Sequence, residues 1–127
     1  MSQNGKPSVI YIDDEEINLF IFKEMFRNDF EIYTTTSAEE ALVYLGDNTV
    51  DLVVTDQIMP IMTGVEFLEK LKELIPEGNN HPKKIMVSGY TKEGEVTRAL
   101  ENNLMDKFVK KPWVYEDLKG VLLETIV

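Results

Sequence analysis

Five residues of this chain stand where short apolar runs end, and their types suit the handling of a phosphate or a metal. The run Val9-Ile10-Tyr11-Ile12 passes into Asp13-Asp14-Glu15, and Leu52-Val53-Val54-Thr55 ends at Asp56. Ile85-Met86-Val87 ends at Ser88, and Phe108-Val109 leads into Lys110-Lys111-Pro112. Three carboxylates brought within a few ångström of one another cannot all stay ionised unless a cation neutralises them or their pKa values rise. Oxygen donors without histidine or cysteine select a hard ion, and Mg²⁺, which shares its shell with phosphate oxygens, is the expected one. A carboxylate beside such an ion can attack a phosphoryl group and form an acyl phosphate. The Ser88 hydroxyl and the Lys111 ammonium would then face the charge on the transferred oxygens.

These groups converge only if the runs are neighbouring strands whose carboxyl ends share one edge of a parallel sheet. The chain alternates strand and helix signals five times, which is the pattern of such a sheet with crossover helices. Strands are expected at Val9 to Ile12, Phe30 to Thr34, Leu52 to Thr55, Lys84 to Ser88 and Lys107 to Lys110. Most are nearly apolar, as strands covered on both faces are, and the more polar second one reads as an edge.

The first helix is expected from about Glu16 to Phe26, with Ile17, Phe20, Ile21 and Met25 as its core stripe. A second stripe on it, Leu19, Phe22 and Phe26, is expected to complete the core against the last helix or to offer a docking surface for a helical phosphodonor. Ser37-Ala38-Glu39-Glu40 reads as a capping box, opening a helix that stops at Gly46. The third helix follows Gly64 and turns Val65, Leu68, Leu71 and Leu74 or Ile75 inward. The fourth, around Glu93 to Glu101, has only Val96, Ala99 and Leu100 for the core. The fifth, about Tyr115 to Thr125, buries Leu118, Val121 and Leu122.

At 127 residues the chain is expected to be one domain with its core at about 8–125 and no output domain. A net charge of -10 opposes phosphate backbones and anionic lipids, so neither direct nucleic-acid binding nor membrane binding is expected. No apolar stretch approaches a membrane span, the first residues lack the core of a signal peptide, and there is no cysteine. A cytoplasmic location follows as an expectation. The single histidine, His81, is expected to be solvated in the polar loop Pro76 to Lys83.

Taken together, Tyr11-Ile12-Asp13-Asp14-Glu15, Thr55-Asp56-Gln57-Ile58-Met59-Pro60 with Thr63-Gly64 beyond, Val87-Ser88-Gly89-Tyr90 and Val109-Lys110-Lys111-Pro112-Trp113 make the chain resemble the receiver domain of two-component response regulators. The resemblance runs from about Val9 to Thr125 and implies a flavodoxin-like, doubly wound α/β fold, with five parallel strands in the order 2-1-3-4-5 and helices on both faces. It implies that Asp56 is the phosphoacceptor, Asp14 a direct Mg²⁺ ligand and Asp13 a partner acting partly through water. The backbone carbonyl of Ile58 would complete the metal shell. Ser88 matches the hydroxyl that meets the phosphoryl group, Phe108 the aromatic that reorients with it, and Lys111 the phosphate-binding lysine before a cis proline. Ile58 and Tyr90 occupy positions that the resemblance links to the rate of dephosphorylation.

The implied partners are a sensor histidine kinase or a histidine phosphotransfer protein as donor. A downstream protein, or a second copy of the chain, would meet the face of the fourth helix, fifth strand and fifth helix. Such a module catalyses only its own phosphorylation and dephosphorylation. The rivals are a pseudo-receiver that binds partners without phosphorylation and a small aspartyl-phosphate phosphatase. The latter type carries a second aspartate where this chain has Ile58.

Overall fold

The computed structural model describes residues 5–76, 81–89 and 93–126. Five strands, β1 (Ser8–Ile12), β2 (Glu31–Thr35), β3 (Leu52–Asp56), β4 (Lys83–Ser88) and β5 (Lys107–Lys110), pair in parallel in the order β2-β1-β3-β4-β5. They alternate with helices α1 (Glu16–Phe26), α2 (Ala38–Asp47), α3 (Gly64–Leu74), α4 (Glu93–Glu101) and α5 (Tyr115–Ile126). All five residues of β3 are buried, whereas β2 leaves Glu31 and Tyr33 exposed, as a central and an edge strand should. The expected architecture and strand order are both present.

The sheet divides the apolar residues between two cores, because successive strand residues point to opposite faces. Ile10, Ile12, Val53 and Met86 pack with Leu45, Phe67, Leu71 and Ala99 from α2, α3 and α4. Val9, Tyr11, Val54 and Val87 pack with Phe22, Phe26, Leu118 and Leu122 from α1 and α5.

Helix α1 is rotated from the expected orientation. Leu19, Phe22 and Phe26 are buried, while Ile17 and Phe20 are 59% and 62% exposed and Ile21 and Met25 are also exposed. Helical spacing admits both stripes, and aromatic packing selects one. Phe22 stacks on Tyr11 of β1 at 4.4 Å between centroids, and Phe26 lies between Phe30, Trp113 and Tyr115. Rings waiting on the sheet and on α5, Tyr11 and Tyr115, select the stripe that carries Phe22 and Phe26.

Smaller differences have equally local causes. On α3, Phe67 joins Leu68 and Leu71 in the buried stripe, and of the two expected end residues Leu74 is exposed and Ile75 packs against the core. On α4, Leu100 is exposed, and Leu104 and Met105 after the helix fill the core instead. Ser37 caps α2 by accepting from Glu40 N, but Glu40 turns its carboxylate to the Thr35 hydroxyl, so the reciprocal half of the capping box is missing. The complete box is on α3, where Thr63 and Glu66 exchange both bonds. His81 is half-buried with Nε2 against the Nζ of buried Lys84. The rest of its loop, residues 77–80, lies outside the described residues.

A polar tie fixes α5 to the end of α1. Tyr115 donates its hydroxyl to Asp29 Oδ2 at 2.7 Å, and Lys119 Nζ reaches Asp29 Oδ1 at 3.0 Å. The Tyr115 hydroxyl and, less strongly, Lys119 hold the Asp29 carboxyl below the usual carboxylate range. A carboxyl with a depressed folded pKa stabilises above its unfolded pKa and loses that contribution as pH falls through the folded one. Tyr115→Phe is therefore expected to lower stability by about 1 kcal/mol at neutral pH. Urea unfolding should show the difference shrinking in acid; a constant difference across pH would assign the loss to packing alone.

Candidate functional site

Parallel register is what assembles the site. Ile12 lies opposite Thr55, Asp56 opposite Val87 and Ser88 opposite Lys110, so the residues ending β1, β3, β4 and β5 emerge at one sheet edge. Asp13 is fully buried, Asp56 and Ser88 are buried, and Asp14 is exposed. One carboxylate oxygen from each of Asp13, Asp14 and Asp56 can lie within 4.8 Å of the others. Lys111 Nζ sits against two of them, donating to Asp13 Oδ2 at 3.1 Å and to Asp56 Oδ2 at 3.3 Å.

Asp13 is held on all sides. Its Oδ2 accepts from Tyr11 OH at 2.7 Å and Asn18 Nδ2 at 3.2 Å besides Lys111, and its Oδ1 accepts from Glu15 N at 3.0 Å. Among the described residues Asp56 keeps fewer partners: Gln57 N donates to Oδ1 at 2.7 Å, and Lys111 Nζ reaches Oδ2 at 3.3 Å. Burial pushes the Asp56 carboxyl up; Lys111 pulls it down and Asp13 pushes it up again, leaving it above the usual carboxylate range. Burial alone would lower the Lys111 ammonium, but Asp13 and Asp56 outweigh it and hold it above the usual lysine range. Burial, then Asp13, pushes the Tyr11 phenol far up, so Tyr11 is a hydrogen-bond donor.

The backbone around Asp56 is fixed by the start of α3. Gln57 O accepts from Gly64 N at 3.0 Å, and Gln57 Oε1 accepts from Val65 N at 2.8 Å, satisfying two amides that a helix start leaves open. Gly64 is packed so close that a Cβ there would lie 2.3 Å from the Asp56 carbonyl oxygen. Between them the chain turns through Ile61, at φ 73°, a left-handed conformation that a β-branched residue rarely adopts. Ile58, with its side chain 55% exposed, opens this turn two residues after Asp56.

On the other flank, the Lys111-Pro112 peptide is cis, as the resemblance implied, and Lys111 N donates to Ser88 O at 2.9 Å. Phe108 is half-buried, opposite Met86 of β4 and on the core side facing α2, α3 and α4. Ser88 lies two residues beyond Met86, on the same face of the sheet. Tyr90 lies outside the described residues. A groove of about 500 Å³ opens beside Lys111 between α1 and the start of α5, lined by Asn18, Ile21, Met25, Pro112 and Trp113.

The sequence-derived residues Asp13, Asp14, Asp56, Ser88 and Lys111 thus share one edge, with Ile58 and Phe108 on its margins. Tyr11, Asn18 and Gly64 were not singled out as participants. Tyr11 carried a signal, since a hydroxyl two residues before Asp13 on a strand must share its face. Asn18 and Gly64 carried weaker ones, visible only once α1 and α3 are placed. The donor set fits a hard divalent cation: among the described residues three carboxylates, two of them buried, converge where a like-charged cluster needs compensation.

Comparison with known proteins gives a consistent result. The family described as response regulator receiver domain matches residues 9–123. The hydrogenase transcriptional regulatory protein HoxA of Cupriavidus necator is 32% identical over 119 residues, covering 94% of this chain and 24% of that protein. The two-component response regulator ORR5 of Oryza sativa subsp. japonica is 31% identical over 117 residues, covering 88% of this chain and 83% of that protein. A CheY-like receiver domain protein from Methanospirillum hungatei superposes with a TM-score of 0.86 at 28% identity, covering 96% of this chain and 94% of the other. The chain spans about a quarter of the length of the HoxA proteins it matches.

Proposed function

Because this chain belongs to the response regulator receiver domain family, we propose that Asp56 is the carboxylate through which it acts as a phosphoacceptor signalling module. The observation that carries the assignment is the Lys111 ammonium, set between Asp13 and Asp56 at the edge where three carboxylates meet. Of these two buried carboxylates, Asp13 is immobilised by four donors, whereas among the described residues Asp56 presents Oδ2 to Lys111 alone. Asp56 is therefore the better nucleophile.

Asp13, Asp14, Asp56 and the Ile58 carbonyl are the residues that would hold Mg²⁺, with Asp14 reaching it from the exposed side. When bound, Mg²⁺ supplies positive charge to the phosphoryl oxygens and lets an anionic donor approach the carboxylates. The Asp56 oxygen then forms the new P–O bond as the P–N bond of a phosphohistidine breaks and imidazole leaves. Lys111 and the Ser88 hydroxyl stabilise the transferred oxygens. The chain turns over no other substrate.

The donor is a histidine kinase or a histidine phosphotransfer protein. Its docking surface is the exposed stripe Ile17, Phe20, Ile21 and Met25 of α1, which borders the groove beside Lys111. Phosphorylation draws Ser88 toward Asp56, and Phe108 moves into the space released, shifting a pre-existing equilibrium at the face of α4, β5 and α5. A partner protein or a second copy of the chain reads that face. The proposed setting is the cytoplasm, where such phosphodonors act.

The test is treatment with acetyl phosphate with and without Mg²⁺, read by intact-protein mass. A stable single phosphoryl adduct is expected only with Mg²⁺, and Asp14→Ala should reduce it at least about tenfold. Absence of any adduct would support a pseudo-receiver, and steady release of phosphate without an adduct a phosphatase.

A further inference from the structure

Tyr11 is an apolar-core residue with a polar end. Its ring is 1% exposed and stacked on Phe22 at 4.4 Å, while its hydroxyl donates to Asp13 Oδ2 at 2.7 Å. A phenylalanine would fill the same space, so the packing of β1 against α1 does not call for the hydroxyl. The acceptor oxygen is also crowded, with Asn18 and Lys111 donating to it as well. A carboxylate oxygen has two in-plane lone pairs, so three donors saturate it. Of the three, Lys111 is the one shared with Asp56, at 3.3 Å, and the one that phosphoryl binding must draw away.

We propose that Tyr11 is a positioning residue of the phosphoryl site, whose hydroxyl holds Asp13 Oδ2 and limits the negative charge that Asp13 presents to Mg²⁺ and to Lys111. The inference rests on the reading of Asp13, Asp14 and Asp56 as the Mg²⁺ site. The clamped ring leaves the Tyr11 hydroxyl little freedom to leave Asp13. When Lys111 turns to a phosphoryl oxygen, Tyr11 and Asn18 remain, so a buried carboxylate is not stripped of its partners. The O–H dipole also points its positive end at the acidic cluster. That partial charge weakens the hold on a cation but makes the site more receptive to an anionic phosphoryl donor.

The two consequences have opposite signs, which makes them separable from a general loosening of the site. Tyr11→Phe keeps the ring and removes the dipole. In this variant the dissociation constant for Mg²⁺, measured by calorimetry, should fall about three- to tenfold because the site is more negative. The rate of labelling by acetyl phosphate at saturating Mg²⁺ should fall by a similar factor, because Asp13 retains Lys111 more strongly. Asn18→Ala, which removes a longer bond to the same oxygen from a half-buried helix position, should give the same split with smaller amplitude. Structural disorder would weaken both properties together. The inference is overturned if Mg²⁺ affinity is unchanged or weaker in both variants while the wild-type protein binds Mg²⁺ and is labelled. A wild-type protein that neither binds Mg²⁺ nor is labelled overturns the reading of the site itself, and the inference with it.

Discussion

Asp56→Asn is expected to abolish phosphoryl labelling and, in the absence of Mg²⁺, to make the protein more stable. The first effect follows from removing the nucleophile. The second follows from the electrostatics of the empty cluster, since burial and Asp13 raise the Asp56 carboxyl above its ordinary range despite Lys111. A carboxyl with a raised folded pKa contributes its stability fully below the unfolded pKa and loses it as pH rises through the folded one. Asparagine imitates the neutral form and escapes that loss. The gain should appear near neutral pH and should vanish in acid, where the wild-type carboxyl is itself neutral. Urea unfolding with and without Mg²⁺ checks it. A variant less stable than wild type at neutral pH would show that the Lys111–Asp56 pair outweighs burial.

Lys111→Met should act in the opposite direction. It keeps most of the apolar stem but leaves Asp13, fully buried, and Asp56 facing each other without a cation. Removing one partner of a buried pair is costly because the other charge stays behind, and partial exposure of Lys111 moderates the effect to about 2–4 kcal/mol. Mg²⁺ should restore more stability to this variant than to the wild type, since a bound cation takes over the neutralising role. Labelling by acetyl phosphate should nonetheless stay reduced at least about tenfold, because the transferred oxygens lose their ammonium. Equal stabilisation of both proteins by Mg²⁺ would argue that Lys111 does not neutralise the cluster.

What the sequence disclosed were the features that depend on neighbours along the chain. Asp13, Asp14, Asp56, Ser88 and Lys111 were legible because apolar runs identify strands, and the residue following each run must emerge at the sheet edge. The rotation of α1 was not legible, because Ile17, Phe20, Ile21 and Met25 have the same helical periodicity as Leu19, Phe22 and Phe26. Only the aromatic surface built from Tyr11, Phe30 and Tyr115 decides between them. The reason for glycine at 64 was not legible either: it arises from the approach of α3 to the Asp56 carbonyl, which appears only once α3 is placed. Ile21 and Met25 of the exposed stripe left by the rotation line the groove beside Lys111, which is what supports the docking role proposed for α1.

The most direct measurement locates the phosphoryl group itself. Protein labelled with acetyl phosphate and Mg²⁺ is reduced with borohydride, which converts an aspartyl phosphate to homoserine, and its peptides are mapped by mass. Homoserine is expected at position 56 and at no other aspartate. Homoserine at position 13 or 14, or undiminished labelling of Asp56→Asn, would contradict the phosphoacceptor assignment.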